Sequence, residues 1–221
     1  MRIESVNVSL PRGAAWNGGR VTTGIFKDAV GGPVMLRRLN LDGDRQADLR
    51  VHGGPSKAVY AYGLDHYAYW RRELSGTALP YGMFGENLTA DWPGEDTVNV
   101  GDRFRVGSAE VMVTEPRLPC YKLGLKFGRK DIIKRFLASG RTGFYLAVVR
   151  EGTVERGDAI ELLERDTRGV TVADITRLYA HDKANRDLLR RALELSALSD
   201  SWRAYFQDRL DRLAGTDPDR R

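Results

Sequence analysis

The chain has 221 residues, of which 42% are hydrophobic and 29% are charged, with a formal net charge of +5. This length suits one large domain or one domain with a small appendage, and no stretch approaches the roughly 18 to 20 apolar residues of a membrane span. The N-terminus lacks the apolar core of a secretion signal, and a single cysteine, Cys120, excludes an internal disulfide. We therefore expect a cytoplasmic protein that has no membrane partner.

Most of the first 165 residues read as short strands separated by glycine-rich turns. One run, at 144–149, is apolar enough for a strand that is buried on both faces. Many short strands with glycine turns indicate a barrel or a sandwich, so we predict a mainly β fold. Strands are predicted around residues 6–10, 59–62, 104–106, 111–113, 144–149 and 160–162.

Two Gly-Asp turns introduce strands in this region. Gly101-Asp102 and Gly157-Asp158 each precede a segment in which apolar and polar residues alternate. After the first of these segments, Gly107-Ser108 leads into another alternating segment. Because a two-residue turn between alternating runs is typical of a hairpin, we predict one here.

Helical patterns are few before Arg165 and dominate after it. Apolar spacing predicts helices at 64–74 and 131–139. After Arg165, three short amphipathic helices follow in about fifty residues, which is typical of a small bundle. The predicted organisation is a β-barrel or sandwich domain at 1–167, a three-helix domain at 168–215 and a frayed tail at 216–221.

The three C-terminal helices carry signals for their N-termini. Thr171 and Asp174 have the spacing of a capping box, with aspartate in place of the usual glutamate. Asp182 is predicted to cap the second helix, and Ser199 or Asp200 the third.

Cys120 lies in the most basic part of the chain. From Arg117 to Arg141 there are eight basic residues and one acid, so this segment carries +7 and the rest of the chain about −2. Nearby positive charge favours the thiolate, which is the form that binds metals and acts as a nucleophile. Pro119, which precedes Cys120, and the charged flanking residues favour a functional thiol over a residue that only packs in the core. We infer a soft ligand for a group that also carries negative charge.

The basic segment has other interpretations. A basic stripe on a small barrel can bind single-stranded nucleic acid if aromatic residues such as Tyr121 and Phe127 stack on the bases, although the lysines can equally form a solvated helix face. Cys120 can pair with His52 as in a cysteine protease, but no protease signature surrounds the cysteine. Both alternatives are weaker than a ligand role for the thiol.

A second unusual segment runs from Arg50 to Tyr60. The pair Gly53 and Gly54 lets backbone amides approach a ligand closely, and Arg50, His52 and Lys57 can supply polar contacts. The spacing is not that of a P-loop, and an ordinary turn before a strand explains it as well.

Two further features concern ligand binding. Asn87 can donate to and accept from the edge of a heterocycle, or it can simply occupy a turn. The three histidines, His52, His66 and His181, are far apart and have no spacing of a standard zinc site.

Together these segments resemble the MOSC family, the domain found at the C-terminus of molybdenum cofactor sulfurases. The chain is most similar to the bacterial stand-alone branch associated with resistance to 6-N-hydroxylaminopurine, and the likeness covers nearly the whole chain in order. The matching segments are 48–59, 84–89, 115–120, 141–145, the Gly157-Asp158 turn, 171–175 and 182–186.

The resemblance implies a closed β-barrel and a three-helix tail. It also implies a molybdenum cofactor of the molybdopterin form, with Cys120 as the protein ligand to molybdenum, and it allows pyridoxal phosphate as a family-level ligand. The implied activity is reduction of N-hydroxylated bases, with electrons from a separate flavoprotein reductase. A carrier of cofactor or persulfide sulfur that does not turn over is the alternative.

On this resemblance, particular residues are expected at the site. Arg50, Lys57, Arg117 and Lys122 are the cations expected to face the cofactor phosphate. Asn87 and the backbone amides of Gly53 and Gly54 are expected to contact the pterin. His52 or Tyr121 is expected to deliver a proton, and the three-helix tail to cover one barrel end or to dock the reductase or a second copy of this chain.

Overall fold

The computed structural model describes residues 1–49 and 53–215. Within those residues there are twelve strands and six α-helices. The strands are β1 (Ile3–Val8), β2 (Arg12–Trp16), β3 (Gly19–Thr23), β4 (Asp28–Val30), β5 (Val34–Leu36), β6 (Val59–Gly63), β7 (Leu88–Ala90), β8 (Arg103–Val106), β9 (Ala109–Pro116), β10 (Phe144–Arg150), β11 (Gly152–Val154) and β12 (Ile160–Glu164). The helices are α1 (Leu64–Glu73), α2 (Tyr121–Phe127), α3 (Ile132–Ala138), α4 (Val172–Ala180), α5 (Arg186–Leu193) and α6 (Asp200–Gly215).

Eight strands form one mixed sheet in the order β12-β8-β9-β10-β6-β7-β1-β4. Its neighbours pair antiparallel except β6 and β7, which are parallel. Two small two-stranded sheets, β11 with β5 and β2 with β3, lie beside it. The mainly β character predicted for this part of the chain is therefore present.

The two ends of the large sheet approach each other near the N-terminus. An isolated bridge joins Arg2 to Ala159, and the Ile3 amide donates to the Asp158 carbonyl at 3.0 Å. The Gly157 amide donates in turn to the Ile3 carbonyl at 2.8 Å. The paired strands nevertheless run in an open order from β12 to β4, so full closure into a barrel stays a prediction.

The predicted hairpin is confirmed as β8 and β9. Val106 pairs with Ala109 across a two-residue turn in which Gly107 has φ +55°, a backbone conformation that glycine adopts without strain. Strand β10 differs from expectation: Phe144, Leu146 and Val148 are buried on one face, while the other face is only half-buried. On that half-buried face, Tyr145 lines two pockets that are described below.

The three C-terminal helices follow the predicted order. The Thr171 hydroxyl accepts from the Asp174 amide at 3.0 Å and the Asp174 carboxylate accepts from the Thr171 amide at 3.1 Å, which confirms the capping box. The second helix is a correction, because Asn185, not Asp182, accepts from the Leu188 amide at 3.0 Å. Asp182 instead accepts from the Asn185 side chain at 2.8 Å and holds the cap in place.

The helical tail and the sheet share one hydrophobic core. Buried side chains of α4, α5 and α6, including Ile175, Leu189 and Phe206, belong to the same cluster as Val111 and Phe144 of the sheet. The predicted domain boundary near 167 stays a prediction, and the tail at 216–221 lies outside the described residues. No helix in the described part of the chain has the length and apolar character to cross a membrane.

Candidate active site

Cys120 sits between the end of β9 and the start of α2. Its backbone is extended, with φ −122° and ψ 173°, and its carbonyl accepts from the Leu123 amide at 2.9 Å in the first helical turn. The thiol is free and partly exposed. Helix α2 was not predicted, because Gly124 interrupts its pattern. A side chain at 124 would lie 3.3 Å from the Arg129 carbonyl oxygen and 3.5 Å from Trp16, so glycine there allows close packing.

One side of Cys120 opens into a cavity that we call the cationic pocket. Five basic side chains line it, and no acidic residue does so among the described lining residues. Because the lysines and arginines carry positive charge at neutral pH, the pocket favours an anionic ligand. Its lining is Thr23, Gly24, Ile25, Lys27, Arg45, Gln46, Ala47, Lys57, Tyr60, Phe84, Gly85, Asn87, Arg117, Leu118, Cys120, Lys122 and Tyr145.

Arg117 is the most enclosed cation of the pocket. Its side chain is 5% exposed, and its guanidinium lies over the rings of Tyr60 at 5.5 Å and Phe136 at 5.0 Å. The Nη1 atom is buried and has no hydrogen-bond partner in the described part of the protein. Leaving a charged donor unpaired in the interior is costly, so this atom points to a ligand that accepts a hydrogen bond.

Lys122 adds a second enclosed charge. The residue is 9% exposed and lines the cationic pocket from α2. Neither a hydrogen bond nor an ion pair from its ammonium group is present among residues 1–49 and 53–215. Lys57, by contrast, lies 3.3 Å from Glu115 and is partly neutralised. Two of the predicted cations, Arg117 and Lys122, therefore have no acidic partner among the described residues and can pair with an anionic ligand.

Asn87 holds a wall of the pocket in place. Its Nδ2 group donates to the Asp44 carboxylate at 2.9 Å and to the Asn7 carbonyl at 3.2 Å, while Oδ1 accepts from the Tyr60 amide at 3.1 Å. Asp44 also forms an ion pair with Lys27, another pocket residue. Both amide hydrogens of Asn87 are thus used within the protein, and only Oδ1 has a lone pair left for the predicted pterin contact.

Tyr145 is a site residue that sequence reasoning did not single out. Burial raises its pKa to about 12; the charge of Arg117 opposes the shift, whereas negative charge on Cys120 and Glu115 adds to it. The hydroxyl therefore keeps its proton at neutral pH. Burial also raises the pKa of the neighbouring Tyr60. The resemblance at 141–145 included Tyr145 without giving it a role.

The other side of Cys120 opens into a second cavity, which we call the aromatic cleft. It lies between the sheet and the three-helix tail, and it shares Cys120, Lys57, Leu118 and Tyr145 with the cationic pocket. The lining is Lys57, Glu115, Pro116, Leu118, Pro119, Cys120, Tyr145, Tyr179, Ser201, Trp202 and Tyr205. Its only charged members among the described residues are Lys57 and Glu115, which lie 3.3 Å apart.

Some predicted site residues do not line the two cavities beside Cys120. Tyr121 is 45% exposed and lines neither cavity, because α2 turns its side chain outward. Gly54, with φ +95°, lines a neighbouring groove that shares Arg45 with the cationic pocket, while Gly53 lines none of these cavities. Arg50 and His52 lie outside the described residues.

Among the described residues, Cys120 does not belong to a cluster of metal-ligating side chains. Within residues 1–49 and 53–215 there is no group of three or more histidine, cysteine, aspartate or glutamate side chains that could hold a metal ion. Any metal at Cys120 would therefore bring further ligands of its own, such as the sulfurs of an organic cofactor.

The curated relatives extend over most of the chain. Protein YflK of Bacillus subtilis is 44% identical over 209 residues, which is 95% of this chain and 94% of that protein. Protein YiiM of Escherichia coli is 39% identical over 193 residues, 86% of this chain and 85% of that protein. A Gibberella moniliformis protein named Reductase is 34% identical over 181 residues, 80% of this chain but 32% of that much longer protein.

A solved crystal structure and two family profiles indicate the same relationship as these sequences. The crystal structure of YiiM from Geobacillus stearothermophilus superposes with a TM-score of 0.79 at 35% identity, covering 95% of this chain and 98% of that one. The MOSC domain profile matches residues 48–161, and the profile of the YiiM-like 3-alpha helix domain matches residues 170–213. The resemblance inferred from the sequence is confirmed: the chain belongs to the MOSC family and carries a YiiM-like three-helix domain.

Proposed function

We propose that the protein is a molybdenum-cofactor-dependent reductase of N-hydroxylated bases and related compounds. The observation that carries the proposal is the position of Cys120 at the edge of a pocket with five basic residues, in which Arg117 Nη1 has no hydrogen-bond partner among the described residues. Membership of the MOSC family and the similarity to a protein named Reductase support it.

The residues of the cationic pocket fit a molybdenum cofactor. A thiolate is a soft ligand suited to a metal that is already bound by sulfur. The phosphate of a pterin cofactor is close to a dianion. Arg117 offers a buried Nη1 atom that has no hydrogen-bond partner among the described residues, and Lys122 offers a second, largely buried basic side chain. Cys120 would hold the metal, while Arg117, Lys122, Lys57 and Lys27 would hold the anionic part of the cofactor.

The proposed net reaction converts R–NHOH, two protons and two electrons into R–NH₂ and water. A molybdenum cofactor held by Cys120 and the basic residues would supply two-electron reducing chemistry, and a separate flavoprotein would replace those electrons. Tyr145 borders both cavities and holds its proton at neutral pH, so its hydroxyl can donate to the departing oxygen. Tyr145 replaces Tyr121 as the proposed proton donor, whereas the same role for His52 stays a prediction.

The test is the molybdenum content of wild type and Cys120→Ser, measured by elemental mass spectrometry on protein made in a host with intact cofactor synthesis. We expect near-stoichiometric molybdenum in wild type and background in the variant. Serine is itself a good residue before a helix, so the variant should fold, and its thermal melting is the control. Reduction of 6-N-hydroxylaminopurine with reduced methyl viologen as electron donor is then assayed on both proteins.

Negligible molybdenum in folded wild type would overturn the proposal. A persulfide on Cys120, detected in that case as the mass of one added sulfur, would support the carrier function instead. Molybdenum present in both proteins would show that another residue is the ligand.

A further inference from the structure

We propose that the aromatic cleft is the substrate subsite, and that it takes a planar N-hydroxylated amine or amidine with N–H donors beside the N–OH group. The substrate ring would lie against Tyr179, Trp202 and Tyr205, and its N–H groups would donate to Glu115. The inference rests on the proposed function for the reaction, and on the cleft itself for recognition.

The aromatic wall comes from the three-helix tail. Tyr179 of α4 contacts Trp202 and Tyr205 of α6 with ring centroids 5.6 Å and 5.8 Å apart, and the latter two rings are 6.0 Å apart. All three side chains line the cleft. Aromatic surfaces favour flat rings, on which they stack without regard to the exact heterocycle.

Glu115 supplies the polar contact. The residue is 2% exposed, and Oε1 faces Lys57 at 3.3 Å. Its second oxygen, Oε2, is buried and has no hydrogen-bond partner in the described structure. A buried carboxylate oxygen needs a donor, and a substrate N–H group within the cleft can supply it.

The different charges of the two cavities indicate how the bound substrate would be oriented. Among the described residues, the cleft carries one positive and one negative side chain that pair with each other, whereas the other side of Cys120 carries an excess of positive charge. A neutral ring therefore suits the cleft, and an anionic group suits the cationic pocket. With the ring against the tail, the N–OH end reaches toward Cys120, which borders both cavities.

The test measures equilibrium binding of 6-N-hydroxylaminopurine to purified protein without an electron donor, by calorimetry, beside molybdenum content. Glu115→Gln and Tyr179→Leu are each expected to weaken binding about tenfold. Tyr179→Phe restores the ring and is expected to restore binding. Tyr69→Leu changes a tyrosine of α1 that lines neither cavity and is the matched control. Hydroxyurea, which has N–OH and N–H groups but no ring, is the comparison probe.

The expected pattern is unchanged molybdenum in all variants, weaker purine binding in Glu115→Gln and Tyr179→Leu, and little binding of hydroxyurea. In turnover with reduced methyl viologen, the two variants should raise KM more than they lower kcat. Wild-type binding in both folded variants, with molybdenum present, would overturn the substrate subsite and leave the reductase standing. Absence of molybdenum from wild type would instead overturn the proposed function.

Discussion

The cationic pocket and the aromatic cleft meet at Cys120, but different parts of the chain build them. Strands and loops of the MOSC domain, together with α2, form the cationic pocket, whose described lining includes five basic residues and no acid. The aromatic cleft takes Tyr179, Trp202 and Tyr205 from the three-helix tail and has one ion pair. The thiol of Cys120 thus lies between the charged cationic pocket and the nearly neutral aromatic cleft.

On the proposed function, this difference would keep the cofactor and the substrate apart. An anion gains little in the cleft, since Glu115 repels it and the aromatic faces carry negative potential. A neutral ring gains less than an anion in the cationic pocket, because it cannot neutralise the charges of Arg117 and Lys122. Substitutions that change only one side should therefore affect only one ligand.

The largest effect is expected for Arg117→Met. Removing a buried donor to an anionic ligand should reduce molybdenum retained after dialysis by about 10- to 100-fold. The free energy of unfolding should change by no more than about 1 kcal/mol, because the lost ring contacts are offset by removal of a buried charge whose Nη1 atom has no partner among the described residues. Molybdenum analysis and urea denaturation measure the two quantities.

Lys134→Met is the matched control for this change. Lys134 is an exposed residue of the same basic segment and lines neither cavity. If both variants lose molybdenum equally, the general charge of the segment matters and the enclosed position of Arg117 does not. Purine binding should stay unchanged in Arg117→Met, and a parallel loss would mean that the two sides are not separate.

A smaller effect on the same side is expected for Lys122→Met. A lysine is a point charge without the planar fork of arginine, so retained molybdenum should fall by about threefold to tenfold. Unfolding should become no easier, since a largely buried lysine without an ion pair among the described residues is replaced by an apolar side chain of similar length. Lys130→Met, at an exposed position after α2, should retain the molybdenum of wild type.

Parts of this arrangement could be predicted from local sequence. The hairpin of β8 and β9 and the capping box of Thr171 depend on residues that are neighbours in the chain, and both are present. Cys120, Arg117 and Lys122 lie within six residues, so their shared pocket required little knowledge of the fold. Lys57 could be placed in the same pocket only through the resemblance and the pairing of strands that are distant in sequence.

The aromatic cleft could not be predicted in this way. Trp202 fits the apolar stripe of a helix, and nothing local distinguishes a core position from a cavity wall. The cleft exists only because α4 and α6 pack beside the end of β9. Tyr121 and Tyr145 show the same limit: the unpredicted helix α2 turns the tyrosine next to Cys120 outward, while a strand distant in sequence brings Tyr145 in. The available signal for the aromatic cleft was Glu115, a buried acidic residue at the end of an apolar strand.

Lys126 provides the most specific prediction, since it lies on the same helix as Lys122 but does not line the cationic pocket. Its ammonium donates to the carbonyls of Ile25, at 2.9 Å, and Gly82. Burial lowers its pKa from 10.5 to about 8, although the charge of Glu86 opposes this. Because Lys126 donates to carbonyls inside the protein, it should affect the free energy of unfolding in a way that Lys122 does not.

Between about pH 8 and 10.5 the unfolded chain keeps the proton on Lys126 while the folded chain releases it. The unfolded state then binds more protons, so this group makes unfolding harder as pH rises through the window, by on the order of 2 kcal/mol. Lys126→Met lacks this contribution, whereas tyrosine ionisation is common to both proteins and cancels in their difference. Urea denaturation of both proteins across the window measures that difference. Parallel stability curves would mean that Lys126 titrates alike in the folded and unfolded chains, and the distinction between the two lysines of α2 would then fail.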